Sequence, residues 1–510
     1  MAWLHSWTGL LFGWLMFAIF LMGSVSYYRH EITQWMQPHY AAIQIQQDQA
    51  VQTAYAYLQH HAPDAKQWFI SVADAKRPVN QVFWEKSDGG FERKTLSADT
   101  GAEVTSSPTL GGDFFYQFHY QLFGVPVMIG RMITTLAAFI MLIALVSGII
   151  THKKILTDFF TLRVFKGQRS YLDFHNISSV LGIPFFLTIT FTGIAIFFYV
   201  YLPWGMKAKY PDNPFKYFEE IRFSTALEAE KNSPAIMKPI DYFLKQTQQA
   251  WRDTEYSVIT VKNPNTNNAQ ISITATKDQS ISLNKAQMSF HAITGQAIGN
   301  TRNQSAIATL SYSMSGLHMA TFAQPFLRMM FFFSGILGSV MIASGLLLWS
   351  LKRQIQNKNN TFHVGHYLVN RLNIAALLGL PIAMLAYFYS NRLITLNAQG
   401  PNYEIYTFFG VWLLSFLSAL FFKQQWLWKS FLKVFIMLAL VLPIFNVSWL
   451  IQHQYIQGLS SYWVFLKVDL MIFIFALLAL FLHNKIEPIQ RKATAKIKNK
   501  LAQKEAQEST

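Results

Sequence analysis

Six histidines lie where long apolar stretches meet polar sequence: His5, His119, His152, His175, His318 and His366. A neutral imidazole offers one nitrogen lone pair, and it is the usual protein ligand for a metal ion or a haem iron. Histidines that recur at the ends of hydrophobic helices therefore suggest haem held within a membrane, and with it electron transfer across a bilayer. Four of the six recur in matched settings. His5 is followed by an apolar stretch that opens Trp7-Thr8-Gly9-Leu10, and His175 by one that contains Leu181-Gly182. His119 has Pro126 seven residues on and then Arg131, while His318 has Pro325 seven residues on and then Arg328. The stretches after His119 and His318 both reach a glycine, Gly148 or Gly345, and then a basic pair, Lys153-Lys154 or Lys352-Arg353.

The elements that must carry these residues are membrane helices. Eight apolar runs are long enough to cross about 30 Å of hydrocarbon. They cover 4–28, 128–150, 177–201, 329–349, 372–389, 403–422, 431–450 and 462–482. Lys and Arg gather in 152–175, 351–371, 423–433 and the C-terminal tail, whereas 451–461 has neither and 390–402 has only Arg392. Basic loops stay in the cytoplasm, so both termini are expected there. The flank of the first span, Met1–Trp7, carries no Lys or Arg. It is read as a retained anchor because the surroundings of His5 recur.

Two long polar regions lie on the opposite side. In the first, 49–60 reads as an amphipathic helix and 68–73, 81–86 and 92–97 as short strands. In the second, 239–251 reads as a helix and 256–261, 270–275 and 287–292 as strands. Each is a small α+β module, so the chain contains a repeat of span, module, span. The expected organisation is a first span in 1–30, a module in 31–118, a second span in 119–152, a loop in 153–174, and a third span in 175–202. A second module in 203–315, a fourth span in 316–351 and a loop in 352–371 follow. The last four spans occupy 372–483, before a basic tail in 484–510.

Composition agrees with a membrane protein. Of 510 residues, 52% are hydrophobic and only 13% charged, against about 25% charged in soluble domains. The chain has no cysteine, which excludes disulfides, iron–sulfur clusters and c-type haem attachment. The net charge of +16 is placed beside apolar spans, where it suits the cytoplasmic leaflet and points away from nucleic acid. No Gly-x-Gly-x-x-Gly or Walker loop is present, so an electron donor must come from outside the chain, as a quinol or a cytoplasmic flavoprotein.

Several strings resemble the PepSY-associated transmembrane family. They are Trp3-Leu4-His5-Ser6-Trp7-Thr8-Gly9-Leu10, Asp173-Phe174-His175-Asn176, Phe118-His119-Tyr120 and Leu317-His318-Met319. A fifth-span likeness runs from Asn370-Arg371 through Gly379-Leu380-Pro381 to Tyr387-Phe388-Tyr389-Ser390-Asn391-Arg392. The resemblance implies a polytopic α-helical membrane protein of about eight spans, with two small periplasmic α+β PepSY-like modules. Family members include bacterial inner-membrane ferric-siderophore reductases. The Arg that often follows the odd-span histidine in that family is Ser6 or Asn176 here, so propionate contacts must come from elsewhere. Arg131 and Arg328 are candidates, with lipid headgroups as their alternative partners.

The resulting expectation is two b-type haems. His5 pairs with His175 near the cytoplasmic face, and His119 pairs with His318 near the other. A span of roughly 25 residues is about 37 Å long, so two relays shorten each electron step. The terminal acceptor would be a ferric siderophore or another ferric chelate, whose iron is held less tightly by hard oxygen ligands once reduced. His152 and His366 are alternative ligands at the cytoplasmic face. Lys467 and Asp469, charged at membrane depth, suggest a proton or substrate role, with interfacial snorkelling by Lys467 as the alternative. Two other readings stay open: a membrane-anchored regulator or binding protein without redox activity, and a transporter whose histidines move protons or metal.

Overall fold

An apolar segment in hydrocarbon must satisfy its backbone within itself, which a helix does. The computed structural model describes residues 1–40, 43, 45–86, 88–104, 109–151, 168–214, 216–222, 232–251, 255–276, 280–299, 302–356, 362–394, 402–422, 424–456 and 462–485. Among these, eight helices are long and apolar enough to cross a bilayer: Ala2–Ser26, Val127–Thr151, Ser170–Ile196, Pro325–Gln354, Val364–Leu393, Tyr403–Phe421, Trp426–Gln452 and Tyr462–Lys485. Each expected run falls on one of them.

The first half of the chain carries α1 (Ala2–Ser26), α2 (Arg29–Met36), α3 (Gln47–His61), α4 (Asp113–Gln121), α5 (Val127–Thr151), α6 (Gln168–Ile196), α7 (Ile240–Ala250), α8 (Ala306–Met319) and α9 (Pro325–Gln356). α1, α5, α6 and α9 pack together as a four-helix core, with α9 lying along both α1 and α6. Phe17, Met22, Met141, Phe186, Met341 and Leu346 are buried between them.

The second and fourth spans were expected to begin at 119 and 316, and here the structure differs. Each is preceded by a separate short helix. α4 stops where Leu122 and Gly124 turn to φ 57° and 80°, and Pro126 follows. α8 stops where Ala320 turns left-handed, and Pro325 opens α9. Proline disfavours helix in the residue before it and is pre-set for the first helical turn. The prolines that marked the sequence repeat therefore separate the histidine-bearing helices from the spans. α4 packs on α1 and α5, and α8 packs on α6.

The strands of the two polar regions join in one sheet. β1 (Gln67–Ser71), β2 (Val79–Glu85) and β3 (Phe91–Ser97) form one meander. β4 (Tyr256–Lys262), β5 (Gln270–Ala275), β6 (Gln287–His291) and β7 (Ala297–Gly299) form the other. β1 pairs antiparallel with β4, from Gln67 opposite Lys262 to Ser71 opposite Val258. One seven-stranded sheet results, in the order β3-β2-β1-β4-β5-β6-β7. Each meander alone would leave β1 or β4 as an open edge, and an unpaired edge seeks a partner. The spacing of Val51, Ala54, Tyr55 and Leu58 gives α3 one apolar face. That face packs with Phe243 and Leu244 of α7 over Trp68, Ile70, Val82, Ile259 and Ile271.

The last four spans are α10 (Val364–Ile374), which continues through a π turn into α11 (Leu380–Leu393), then α12 (Asn402–Phe421), α13 (Gln424–Gln452) and α14 (Tyr462–Lys485). A buried polar knot ties them to α2. Trp35 Nε1 donates to Asp469 Oδ1 at 2.9 Å. Asn446 Nδ2 and Tyr462 OH donate to Asp469 Oδ2 at 2.8 and 2.7 Å. Arg392 Nε donates to Asn446 Oδ1 at 2.9 Å and Nη2 to the Trp35 carbonyl. The Arg392 guanidinium lies 4.0 and 4.7 Å from the Trp35 and Trp449 ring centres. Asp469 thus serves as a structural acceptor, while Lys467 is exposed.

A buried charge whose partner is removed costs about 3–5 kcal/mol. Arg392→Leu is therefore expected to lower the thermal midpoint of the protein in detergent, and adding Asp469→Asn should restore part of the loss. A midpoint unchanged by Arg392→Leu would show that the knot contributes nothing.

Candidate functional site

The four recurrent histidines come together as two pairs. His5 on α1 faces His175 on α6, with ring centres 6.1 Å apart. His119 on α4 faces His318 on α8, with ring centres 5.9 Å apart. Two imidazoles sharing one metal through Nε2, at about 2 Å per bond, would set their ring centres about 6 Å apart. Both pairs have that spacing.

Each ring is held by its other nitrogen. His5 Nδ1 lies 2.9 Å from the Ala144 carbonyl, His175 Nδ1 2.9 Å from the Met341 carbonyl, and His119 Nδ1 2.8 Å from the Ile19 carbonyl. A carbonyl only accepts, so Nδ1 carries the proton and Nε2 carries the lone pair. His318 Nδ1 lies 3.1 Å from Thr192 Oγ1. That hydroxyl donates to the Thr188 carbonyl at 2.7 Å, which leaves it an acceptor for the histidine. An outer hydrogen bond that fixes tautomer and ring angle is the usual support of a ligating histidine.

The rings also rest on glycines. A Cβ at Gly148 or Gly345 would stand 3.1 Å from the His5 or His175 ring, and at Gly23 or Gly193 it would stand 2.6 or 2.9 Å from His119 or His318. Each histidine therefore lies against bare backbone of a neighbouring span. Gly148 and Gly345 are visible in the sequence as repeat marks. Gly23 and Gly193 escaped notice, although they are separated by the same interval as His5 and His175.

A cavity of about 1170 Å³ contains His119 and His318. Met16, Phe20, Met141 and Phe185 line its depth, and Arg131 and Arg328 stand on its wall. Arg131 donates to Tyr199 OH at 2.9 Å and to Gln121 Oε1 at 3.2 Å. Arg328 pairs with Glu31 at 2.5 Å. Both guanidinia leave a buried Nε without a hydrogen-bond partner among the described residues. Buried donors of that kind call for an acceptor. The two propionate candidates thus share the wall of one cavity with His119 and His318.

The alternative ligands fare differently. The ring contacts of His366 are with Trp349, at 6.0 Å, and His363, at 5.1 Å, and not with His5 or His175. His152 lies outside the described residues. Among the described residues no group of three or more His, Asp or Glu is gathered as a metal site. Here the histidines come in twos.

The family model for the PepSY-associated TM region matches residues 2–352. The chain belongs to that family. No curated protein matches it. The matched region runs from α1 to Lys352 in α9, so it contains both histidine pairs, their four glycines and the cavity. The last four spans lie beyond it.

The glycine contacts can be tested directly. Gly23→Ala forces a methyl against the pinned His119 ring, and overpacking of this kind costs about 1–3 kcal/mol. Gly9→Ala, with nothing within 4 Å, is the control. A lowered thermal midpoint is expected for the first and none for the second. Equal midpoints would mean that the ring yields without cost.

Proposed function

We propose that this protein is a b-type haem protein of the bacterial inner membrane that carries electrons to its periplasmic side, where a ferric chelate is reduced and its iron released. The observation that carries this reading is the pairing of four histidines at a two-ligand spacing, each with Nδ1 engaged by an oxygen. His5 with His175 would hold one haem, and His119 with His318 the other. A bound haem supplies one-electron chemistry at its iron.

The protein's own residues do the positioning. The carbonyls of Ala144, Ile19 and Met341 and the Thr192 hydroxyl hold the imidazoles at fixed angles. The four glycines leave room beside each ring, and Met16, Phe20, Met141 and Phe185 give the cavity an apolar wall. Arg131 and Arg328 offer donors to propionates. Basic loops at 152–175, 351–371 and 423–433 support cytoplasmic termini. The sheet is then periplasmic, its two meanders being the PepSY-like modules.

Each ferric ion takes one electron. A quinol would give up two electrons and two protons and serve two chelates, and a reduced cytoplasmic flavoprotein is the other donor class. Fe²⁺ is held less firmly by hard oxygen ligands than Fe³⁺, so reduction frees the metal.

Purified His119→Ala or His318→Ala is expected to carry about half the haem of the parent, by pyridine haemochrome. The parent, reduced with dithionite, should be reoxidised by a ferric siderophore faster than by buffer. Unchanged haem content in both variants would defeat the ligand assignment. Reoxidation at the rate of buffer alone would defeat the substrate.

A further inference from the structure

The cavity around His119 and His318 has room for more than a cofactor. Its volume of about 1170 Å³ exceeds the roughly 300–1,000 Å³ of a usual small-molecule site. Its depth is apolar, but the part beneath the sheet is not. Lys76 and Arg77 reach it from the turn after β1, and Thr276 and Lys285 reach it from the ends of the β5–β6 connection. Each half of the fused sheet therefore supplies one side of this vestibule.

The vestibule is cationic. Among the described residues six cations line the cavity against two carboxylates, Asp74 and Glu255, and one of the six, Lys285, also donates to the Thr276 carbonyl. Asp74 turns one oxygen to the backbone N–H groups of Lys76 and Arg77, at 2.9 and 2.8 Å. Arg328 is matched by Glu31, and Arg29 lies 3.8 Å from Asp113. Lys76, Arg77 and Arg131 make no ion pair among the described residues. Arg77 Nε and Thr276 Oγ1, one from each side, are buried without a hydrogen-bond partner. Burial, and then the charges of Arg29, Lys76, Arg77 and Arg328, push the His30 imidazole down to about 3. The smaller part of that shift, due to the four cations, marks a local excess of positive charge.

We propose that this vestibule binds an anionic ferric chelate, one whose outward carboxylate or catecholate oxygens meet Lys76, Arg77 and Lys285 on the way to His119 and His318. The iron in this statement rests on the proposed function; the charge preference rests on the vestibule alone. Low-dielectric walls around clustered charge of one sign concentrate ligands of the opposite sign. The same walls would disfavour a cationic chelate of equal size.

Gallium(III) chelates test this without electron transfer. The full chain is placed in nanodiscs containing phosphatidylglycerol, and binding of gallium citrate and of the cationic gallium–desferrioxamine B is measured by calorimetry. The anionic probe should bind about tenfold more tightly. Lys76→Glu, at an exposed position, should weaken it several-fold without weakening the cationic probe, and Lys76→Arg should retain it. Equal affinities for the two probes, or indifference to Lys76→Glu, would overturn the proposal. Failure of gallium citrate to bind beside the anionic lipid would overturn it too, since headgroups would then be the occupant. A protein that binds gallium citrate but carries no haem would sink the electron-transfer reading and leave this site standing. Haem-loaded protein indifferent to chelate charge would do the reverse.

Discussion

The bond from each histidine Nδ1 to an oxygen of another helix is the constraint on which the rest of the core depends. It settles which nitrogen can take a metal. It also ties α1 to α4 and α5, and α6 to α8 and α9, through side chains that would otherwise be free to rotate. The glycine beneath each ring is the complement of that bond. Without it, the imidazole could not lie so close to a neighbouring backbone. Under the proposed function, ligands held this way would need little rearrangement to hold a metal.

This arrangement also accounts for the two short helices. A histidine at the end of a straight span would sit at the interface, half in water. By breaking the chain at Leu122–Pro126 and Ala320–Pro325, the fold places His119 and His318 on α4 and α8 and turns them into the bundle. The second break, Ala320–Pro325, borders the cavity, where irregular backbone is tolerated within a membrane protein, while Gly124–Pro126 of the first is exposed. The fused sheet then roofs the cavity from both halves of the repeat.

Much of this was legible in the residues. Apolar run length located all eight spans, because length and hydropathy are local properties. Alternation located six of the seven strands and both sheet-packing helices. The matched settings of His5 and His175, and of His119 and His318, gave the pairs that the fold brings together. What was not legible is what depends on contact between distant segments. The pairing of β1 with β4 links residues far apart in sequence, and no local pattern announces it. The two meanders were consequently read as separate modules. Pro126 and Pro325 were noticed as repeat marks, yet not as breaks that end the preceding helices. Asp469 stood out as a charge at depth, and the packing shows it accepting from Trp35, Asn446 and Tyr462 beside Arg392, contacts between distant segments that no local pattern announces. Gly23 and Gly193 carried a readable signal in their matched interval, and only the packing of the rings gives that interval its meaning.

The central claim is that paired imidazoles hold iron porphyrin at two levels of the four-helix core. The most direct measurement is the reduced-minus-oxidised visible spectrum, with haem quantified per chain, of full-length protein purified from haem-replete cells. The account predicts a Soret band, split α and β bands on reduction, and about two haems per chain. A well-folded, colourless protein would contradict it.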